Sequence, residues 1–287
     1  MKDIILFGDC RETLSQIDDK VRMCVTSPPY YGLRNYGDES NQIGQEDTPE
    51  EYIQNLVNIF RSVRNCLTDD GTLWVNIGDS YYNYRPGKGQ ALVKQSVIKS
   101  KQDLPEKCAR RGNKLEGLKE KDLIGIPWML AFALRADGWY LRQDIIWNKP
   151  NPMPESVRDR CTKSHEYIFL LSKNQNYYFN VDAIKEPTRR KRSVWNVSTK
   201  PYKGSHFAVF PPELITPCIL ASSEENDIIL DPFMGSGTTA MVAKSLGRYY
   251  IGCELHEDYG NLIQQRMGVA VDKVVHNGLT NALNDVE

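Results

Sequence analysis

A seven-stranded α/β sheet with its strands in permuted order is the fold predicted for this 287-residue chain, and three observations carry it. Short apolar runs rich in β-branched residues alternate with helical patterns, as in a parallel sheet. A glycine turn joins one of those strands to a helix, as at a ligand-binding crevice. That turn comes late, with only 47 residues after Ala240, so most of the sheet has to be supplied by the N-terminal side.

In chain order the strands are expected at 4–7, 23–26, 72–77, 140–147, 167–171, 228–230 and 249–253. Residues 49–66 carry an amphipathic helical pattern, with Glu50 and Glu51 in the first turn, where acidic side chains favour a helix start. Two further helices are expected at 127–136, ending near Gly138, and at 238–245, ending at Gly247. Residues 85–121 and 185–205 lack apolar periodicity and read as insertions into a single domain spanning 1–287.

Composition narrows the function classes. Apolar residues make up 40% and charged residues 25%, with a mean hydropathy of -0.50, which describes a soluble globular chain. No apolar run reaches the roughly 18 residues of a membrane span, and the first residues show no signal-peptide core. Seven cysteines stand singly, without a C-x-x-C pair, so a disulfide scaffold and a zinc knuckle are disfavoured, no metal is expected, and a cytoplasmic location is. The net charge of -1 hides an asymmetry. Residues 85–121 hold eleven basic side chains against four acidic, and residues 185–203 hold seven against Glu186. Two basic stretches on an acidic body suit a polyanion such as DNA, although solvated loops would account for them equally well.

The glycine turn runs Asp231-Pro232-Phe233-Met234-Gly235-Ser236-Gly237-Thr238-Thr239-Ala240. Its glycines admit a ligand to the backbone, and the helix that follows offers unpaired N–H groups. The next strand ends in Glu254, placed to accept hydrogen bonds from ribose hydroxyls. A dinucleotide site fits the glycine spacing but lacks room, because a second βαβ half cannot be built from the remaining residues. A second signal lies near the start, where the strand ending at Thr26 stops at Ser27-Pro28-Pro29-Tyr30. Two prolines without N–H groups leave carbonyls facing a cleft, beside a hydroxyl and an aromatic ring. A planar, amino-bearing ring suits that constellation; an ordinary proline-terminated strand is the plainer alternative.

Thr-Ser-Pro-Pro-Tyr resembles motif IV of the DNA amino-methyltransferases, and Asp-Pro-Phe-Met-Gly-Ser-Gly-Thr-Thr is similar to their motif I. Their order in the chain resembles the permuted β group of that family. Gly8-Asp9-Cys10 resembles motif III, and residues 206–212 resemble motif X. The resemblance implies a circularly permuted, Rossmann-like methyltransferase fold using S-adenosylmethionine on double-stranded DNA. It implies cofactor contacts from Asp231, Pro232, Phe233, Gly235, Ser236, Gly237, Thr238 and Thr239, from Glu254 and Leu255, from Asp9, Cys10 and Thr26, and from Phe207, Phe210 and Pro211. Ser27, Pro28, Pro29 and Tyr30 become the catalytic set, with Tyr30 stacking on a flipped base. Arg110, Arg111, Arg189, Arg190, Lys191 and Arg192 of the basic stretches become the DNA contacts. The family reading also admits a cognate restriction endonuclease and a homodimer as partners.

Serine at the first motif position favours the N4 amine of cytosine over the N6 amine of adenine, which stays as the alternative. A catalytically silent nucleic-acid-binding protein and a nicotinamide dehydrogenase are the remaining alternatives; the intact motifs oppose the first, and the missing second half-site opposes the other. Cys218, although it follows Pro217, sits in an apolar helical stretch and is expected to be a buried structural thiol. His165 and His206 are expected to be structural, and the Tyr177-Tyr178-Phe179 run to pack against the sheet.

Overall fold

The computed structural model describes residues 1–32, 42–82, 115–199, 210–267 and 274–276. Its strands are β1 (Ile4–Phe7), β2 (Val21–Thr26), β3 (Leu67–Ile77), β4 (Tyr140–Asn148), β5 (His165–Ser172), β6 (Val194–Asn196), β7 (Ile228–Asp231), β8 (Tyr249–Glu254) and β9 (Val274–His276). The helices are α1 (Cys10–Thr13), α2 (Pro49–Cys66), α3 (Ile126–Ala136), α4 (Pro212–Ser222), α5 (Thr238–Ser245) and α6 (Tyr259–Met267). One sheet holds all the described strands in the order β6-β4-β5-β3-β2-β7-β8-β1-β9.

All seven expected strands form. Two more join them at the sheet edges, β6 and β9, each of three residues. β6 arises inside the second basic stretch, where no core element was expected; it pairs parallel to β4 and buries Trp195. The sheet is also mixed and not wholly parallel, because β5 runs antiparallel to both β3 and β4. The cause lies in the connection. Between Asn148 and His165 there is no crossover helix, so the chain returns from the end of β4 at which it left.

Central strands are buried on both faces, and alternate side chains serve two cores. Ile4, Leu6, Cys24 and Leu73 join the core under α2 and α3, whereas Ile5, Phe7, Met23 and Trp74 join the one under α4 and α5. α2 begins with a reciprocal cap: Glu51 N–H donates to Thr48 Oγ1 at 3.2 Å, and Thr48 N–H donates to Glu51 Oε2 at 3.2 Å. Tyr52, Leu56, Ile59, Phe60 and Val63 then recur at helical spacing as its buried stripe. Cys218 is buried within α4, and Phe179 stacks on Trp74 with ring centroids 6.4 Å apart. No helix of the described residues is long and apolar enough to cross a membrane.

β2 and β7 lie side by side, and from their ends the chain departs in opposite directions, through α2 to β3 and through α5 to β8. A crevice opens at such a switch point, outside the carboxyl ends of the strands. Because β5 is reversed, it delivers its first residues, His165 and Glu166, to the same crevice.

Candidate active site

The crevice is a cavity of about 890 Å³, near the top of the range for small-molecule sites of ~300–1,000 Å³. Its floor on one side is the glycine turn. Asp231 ends β7 and is fully enclosed: it accepts from Thr26 Oγ1 and Thr239 Oγ1, both at 2.6 Å, and from Phe233 N–H at 3.0 Å. Burial pushes its carboxyl up to about 6, against those hydrogen bonds. Gly237 precedes α5 with φ of 79°, and a Cβ there would come within 3.0 Å of Ile263 Cγ2, so the turn requires glycine. Arg266 on α6 braces the turn from outside, donating to Ser236 O at 2.9 Å and Thr238 Oγ1 at 3.1 Å.

Glu254 closes the far end of this floor. Its Oε2 accepts from Gly235 N–H at 2.7 Å and its Oε1 from His256 N–H at 3.0 Å. Burial pushes its carboxyl up to about 7, backbone donors from His256, Gly235 and Leu255 opposing the shift. A carboxylate offers about four acceptor positions, so Glu254 keeps acceptor capacity for a ligand hydroxyl. Asp9 follows β1 and caps α1, with Arg11 N–H donating to its Oδ1 at 2.8 Å. Burial works against its ionisation, but hydrogen bonds and charge from Arg11 hold the carboxyl below the ordinary range. A buried acid facing the cavity, apolar walls from Phe210 and Phe233, and the N-terminus of α5 together fit an adenosine-bearing cofactor.

The opposite wall is the Ser27–Tyr30 turn. Tyr52 Oη donates to Pro29 O at 2.8 Å, which occupies that carbonyl. Among the described residues no hydrogen bond reaches the Pro28 carbonyl, and both Ser27 and Pro28 line the cavity. Tyr30 is fixed at its far end, its Oη donating to Glu166 Oε2 at 2.7 Å. Asn76 Nδ2 donates to the same oxygen at 3.2 Å, and Lys149 pairs with Glu166 Oε1. Burial, then the Glu166 charge, hold the Tyr30 phenol well above its ordinary range, so it stays a neutral donor. A Cβ on Gly78 would lie 2.8 Å from Tyr30 Cε2. Gly78→Ala therefore displaces the ring, and turnover is expected to fall by about 10–100-fold while cofactor affinity, measured by calorimetry, stays unchanged.

Comparison with known proteins shows the family. A family model of DNA methylases, covering N6 and N4 enzymes, matches residues 21–265. The chain belongs to that DNA methylase family. It is 52% identical over 271 residues to the type II methyltransferase M.SmaI of Serratia marcescens, covering 92% of this chain and 90% of that protein. It is 50% identical over 266 residues to M.Cfr9I of Citrobacter freundii, covering 91% and 86%. Among solved structures it is similar to the cytosine-N4-specific PvuII DNA methyltransferase, with a TM-score of 0.69 at 18% identity, covering 92% of this chain and 88% of that one. It is also similar to M1.HpyAVI bound to S-adenosylmethionine, with a TM-score of 0.58 at 20% identity, covering 93% and 100%. At such identities these two likenesses speak for the Rossmann-like fold.

The methylase brings most of its sequence-predicted site residues to one cavity. Asp9, Cys10, Ser27, Pro28, Pro29, Tyr30, Phe210, Asp231, Pro232, Phe233, Gly235, Ser236, Thr238, Glu254 and Leu255 line it. Thr26 and Thr239 stand behind that lining, clasping Asp231, while Gly237 and Pro211 sit at the starts of α5 and α4. Phe207, Arg110 and Arg111 lie outside the described residues. Arg189, Arg190 and Arg192 are exposed and away from the cavity lining. Asn76, Gly78, Lys149, Glu166 and Arg266 were missed by the sequence reading. The signal for the first four was the pairing register of an antiparallel strand, which that reading did not contain.

Proposed function

We propose that this DNA methylase transfers a methyl group from S-adenosylmethionine to the exocyclic N4 amine of a cytosine flipped out of duplex DNA. The observation that carries the reading is the joining of two sites in one cavity: a hydroxyl, a carbonyl and a locked tyrosine ring on one wall, and a glycine turn with a buried carboxylate on the other. The cofactor, when bound, supplies an electrophilic methyl group. Glu254 holds the ribose hydroxyls, and Asp9 lies toward the adenine. Tyr30 stacks on the extruded base, oriented by Glu166 and Asn76. An aryl amine is a weak nucleophile because its lone pair is delocalised into the ring. Ser27 Oγ and the Pro28 carbonyl accept its two N–H groups, favouring a tetrahedral nitrogen whose lone pair would form the N–C bond as the sulfonium S–C bond breaks with its electron pair left on sulfur; the surplus N–H proton would leave to solvent. Serine, not aspartate, at position 27 supports cytosine. A restriction endonuclease reading the same sequence is the partner this activity implies. Single-molecule sequencing of DNA from cells expressing the protein tests the reading: one cytosine position per site should be modified, and its absence overturns it.

The Glu254 carboxyl sets a pH dependence. The ionised form is the better acceptor for ribose hydroxyls, and its pKa stands at about 7 through burial. Cofactor affinity should fall as pH drops below about 7, approaching tenfold per unit, and Glu254→Gln should flatten that limb in a calorimetric titration. Ligand-free stability runs the other way. A carboxyl whose pKa is raised on folding stabilises the native state below its unfolded value and loses that contribution as pH rises toward 7.

The basic run 189–192 is proposed as a phosphate-contacting segment. Arg189 pairs with Glu186, and Lys191 lies over the Trp195 ring at 4.9 Å, whereas Arg190 and Arg192 are exposed. Neutralising all four should lower the slope of log affinity against log salt by about 2–4 units, equally on target and scrambled duplexes, as filter binding reports.

A further inference from the structure

We propose that Met153 is a wedge that enters the duplex at the target site and fills the space the extruded base leaves behind. This rests on the reading of the cavity as the seat of a flipped base. Of the large apolar side chains exposed among the described residues, Met153 is the one that also lines the cavity, and it is the most exposed of them, at 79%. A single exposed methionine is ordinary on a protein surface. This one differs in where it stands and how firmly it is held.

The segment carrying it links β4 to β5 and reads Lys149-Pro150-Asn151-Pro152-Met153-Pro154-Glu155. Proline on either side of Met153 fixes the local backbone. On one flank Asn151 Nδ2 donates to Thr199 O at 3.0 Å, and Thr199 N–H donates to Asn151 Oδ1 at 2.9 Å. On the other, Glu155 accepts from Arg160 Nη1 at 2.6 Å and Lys163 N–H at 3.0 Å. The loop is thus tied at both ends, and Met153 projects into water at the mouth of the catalytic cavity. Folding leaves its apolar surface in solvent, so the stabilisation from burying it remains available to a bound partner. A pre-ordered apolar side chain beside a base-sized recess matches the wedges that proteins insert between base steps. The flexible, unbranched side chain of methionine suits an irregular gap in a base stack.

The test uses an oligonucleotide duplex carrying the site mapped in cells and measures single-turnover transfer of a labelled methyl group. Met153→Ala should slow transfer by about tenfold or more on the intact duplex while leaving cofactor affinity unchanged. On the same duplex with the partner of the target base replaced by an abasic site, extrusion is easier, and the variant should come within about twofold of the unmodified protein. Met153→Leu should retain most of the rate. A wild-type rate for Met153→Ala on the intact duplex would overturn the proposal, and so would a defect of equal size on the abasic-partner duplex. Failure of the unmodified protein to methylate the intact duplex would overturn the reading of the cavity itself, and the wedge with it.

Discussion

Ser27→Ala is expected to slow methyl transfer by about two orders of magnitude while cofactor affinity stays within a few-fold, matching the loss of one transition-state acceptor. Ser27 stands at the end of β2, on the wall opposite the glycine turn, and lines the cavity beside Pro28 and Tyr30. Its hydroxyl gains most as the amine nitrogen becomes tetrahedral, since an N–H on a charged nitrogen donates more strongly than one on a conjugated amine. The ground state loses less. The loss should therefore fall on kcat and not on the KM for DNA. Single-turnover kinetics and a cofactor titration on the same preparation separate the two. An unchanged rate would remove Ser27 from the site.

The second large effect concerns the other wall. Glu254→Ala should weaken S-adenosylmethionine binding by about 1–3 kcal/mol, roughly ten- to a hundredfold, through loss of a charge-assisted hydrogen bond. It also strips an acceptor from Gly235 N–H and His256 N–H, so the glycine turn loosens. Glu254→Gln divides the two contributions, because its amide oxygen keeps an acceptor but carries no charge. With the carboxyl at about 7, the gap between the wild type and either variant should widen from pH 6 to pH 8. DNA affinity without cofactor should hardly move. Normal cofactor binding by the alanine variant would show that Glu254 is not the ribose acceptor.

What the sequence reveals follows from how local each signal is. α2 shows itself through its acidic first turn and its i, i+4, i+7 stripe, and the central strands through unbroken apolar runs of the kind a sheet covered on both faces produces. The glycine turn and the Ser-Pro-Pro-Tyr turn are legible because their chemistry sits in consecutive residues. Edge strands β6 and β9 are three residues each, too short to carry a period. Glu166 and Lys149 look like ordinary charges at strand ends until antiparallel pairing opposes Trp147 to Glu166, which then accepts from Tyr30 while Lys149 pairs with its other oxygen. Arg266 reaches the glycine turn from a helix some thirty residues further on, and no spacing rule announces it. Thr26 and Thr239 are expected at the cofactor, and in the structure their hydroxyls donate to Asp231, as a buried carboxyl demands.

The proposed activity is methylation, at its N4 amine, of a cytosine seated in the cavity. Incubating the purified protein with duplex DNA and isotopically labelled S-adenosylmethionine, then digesting to nucleosides for mass spectrometry, tests it most directly. Label is expected in N4-methyl-2′-deoxycytidine and in no other nucleoside; label in N6-methyl-2′-deoxyadenosine, or in cytosine methylated on carbon, would contradict the proposed activity.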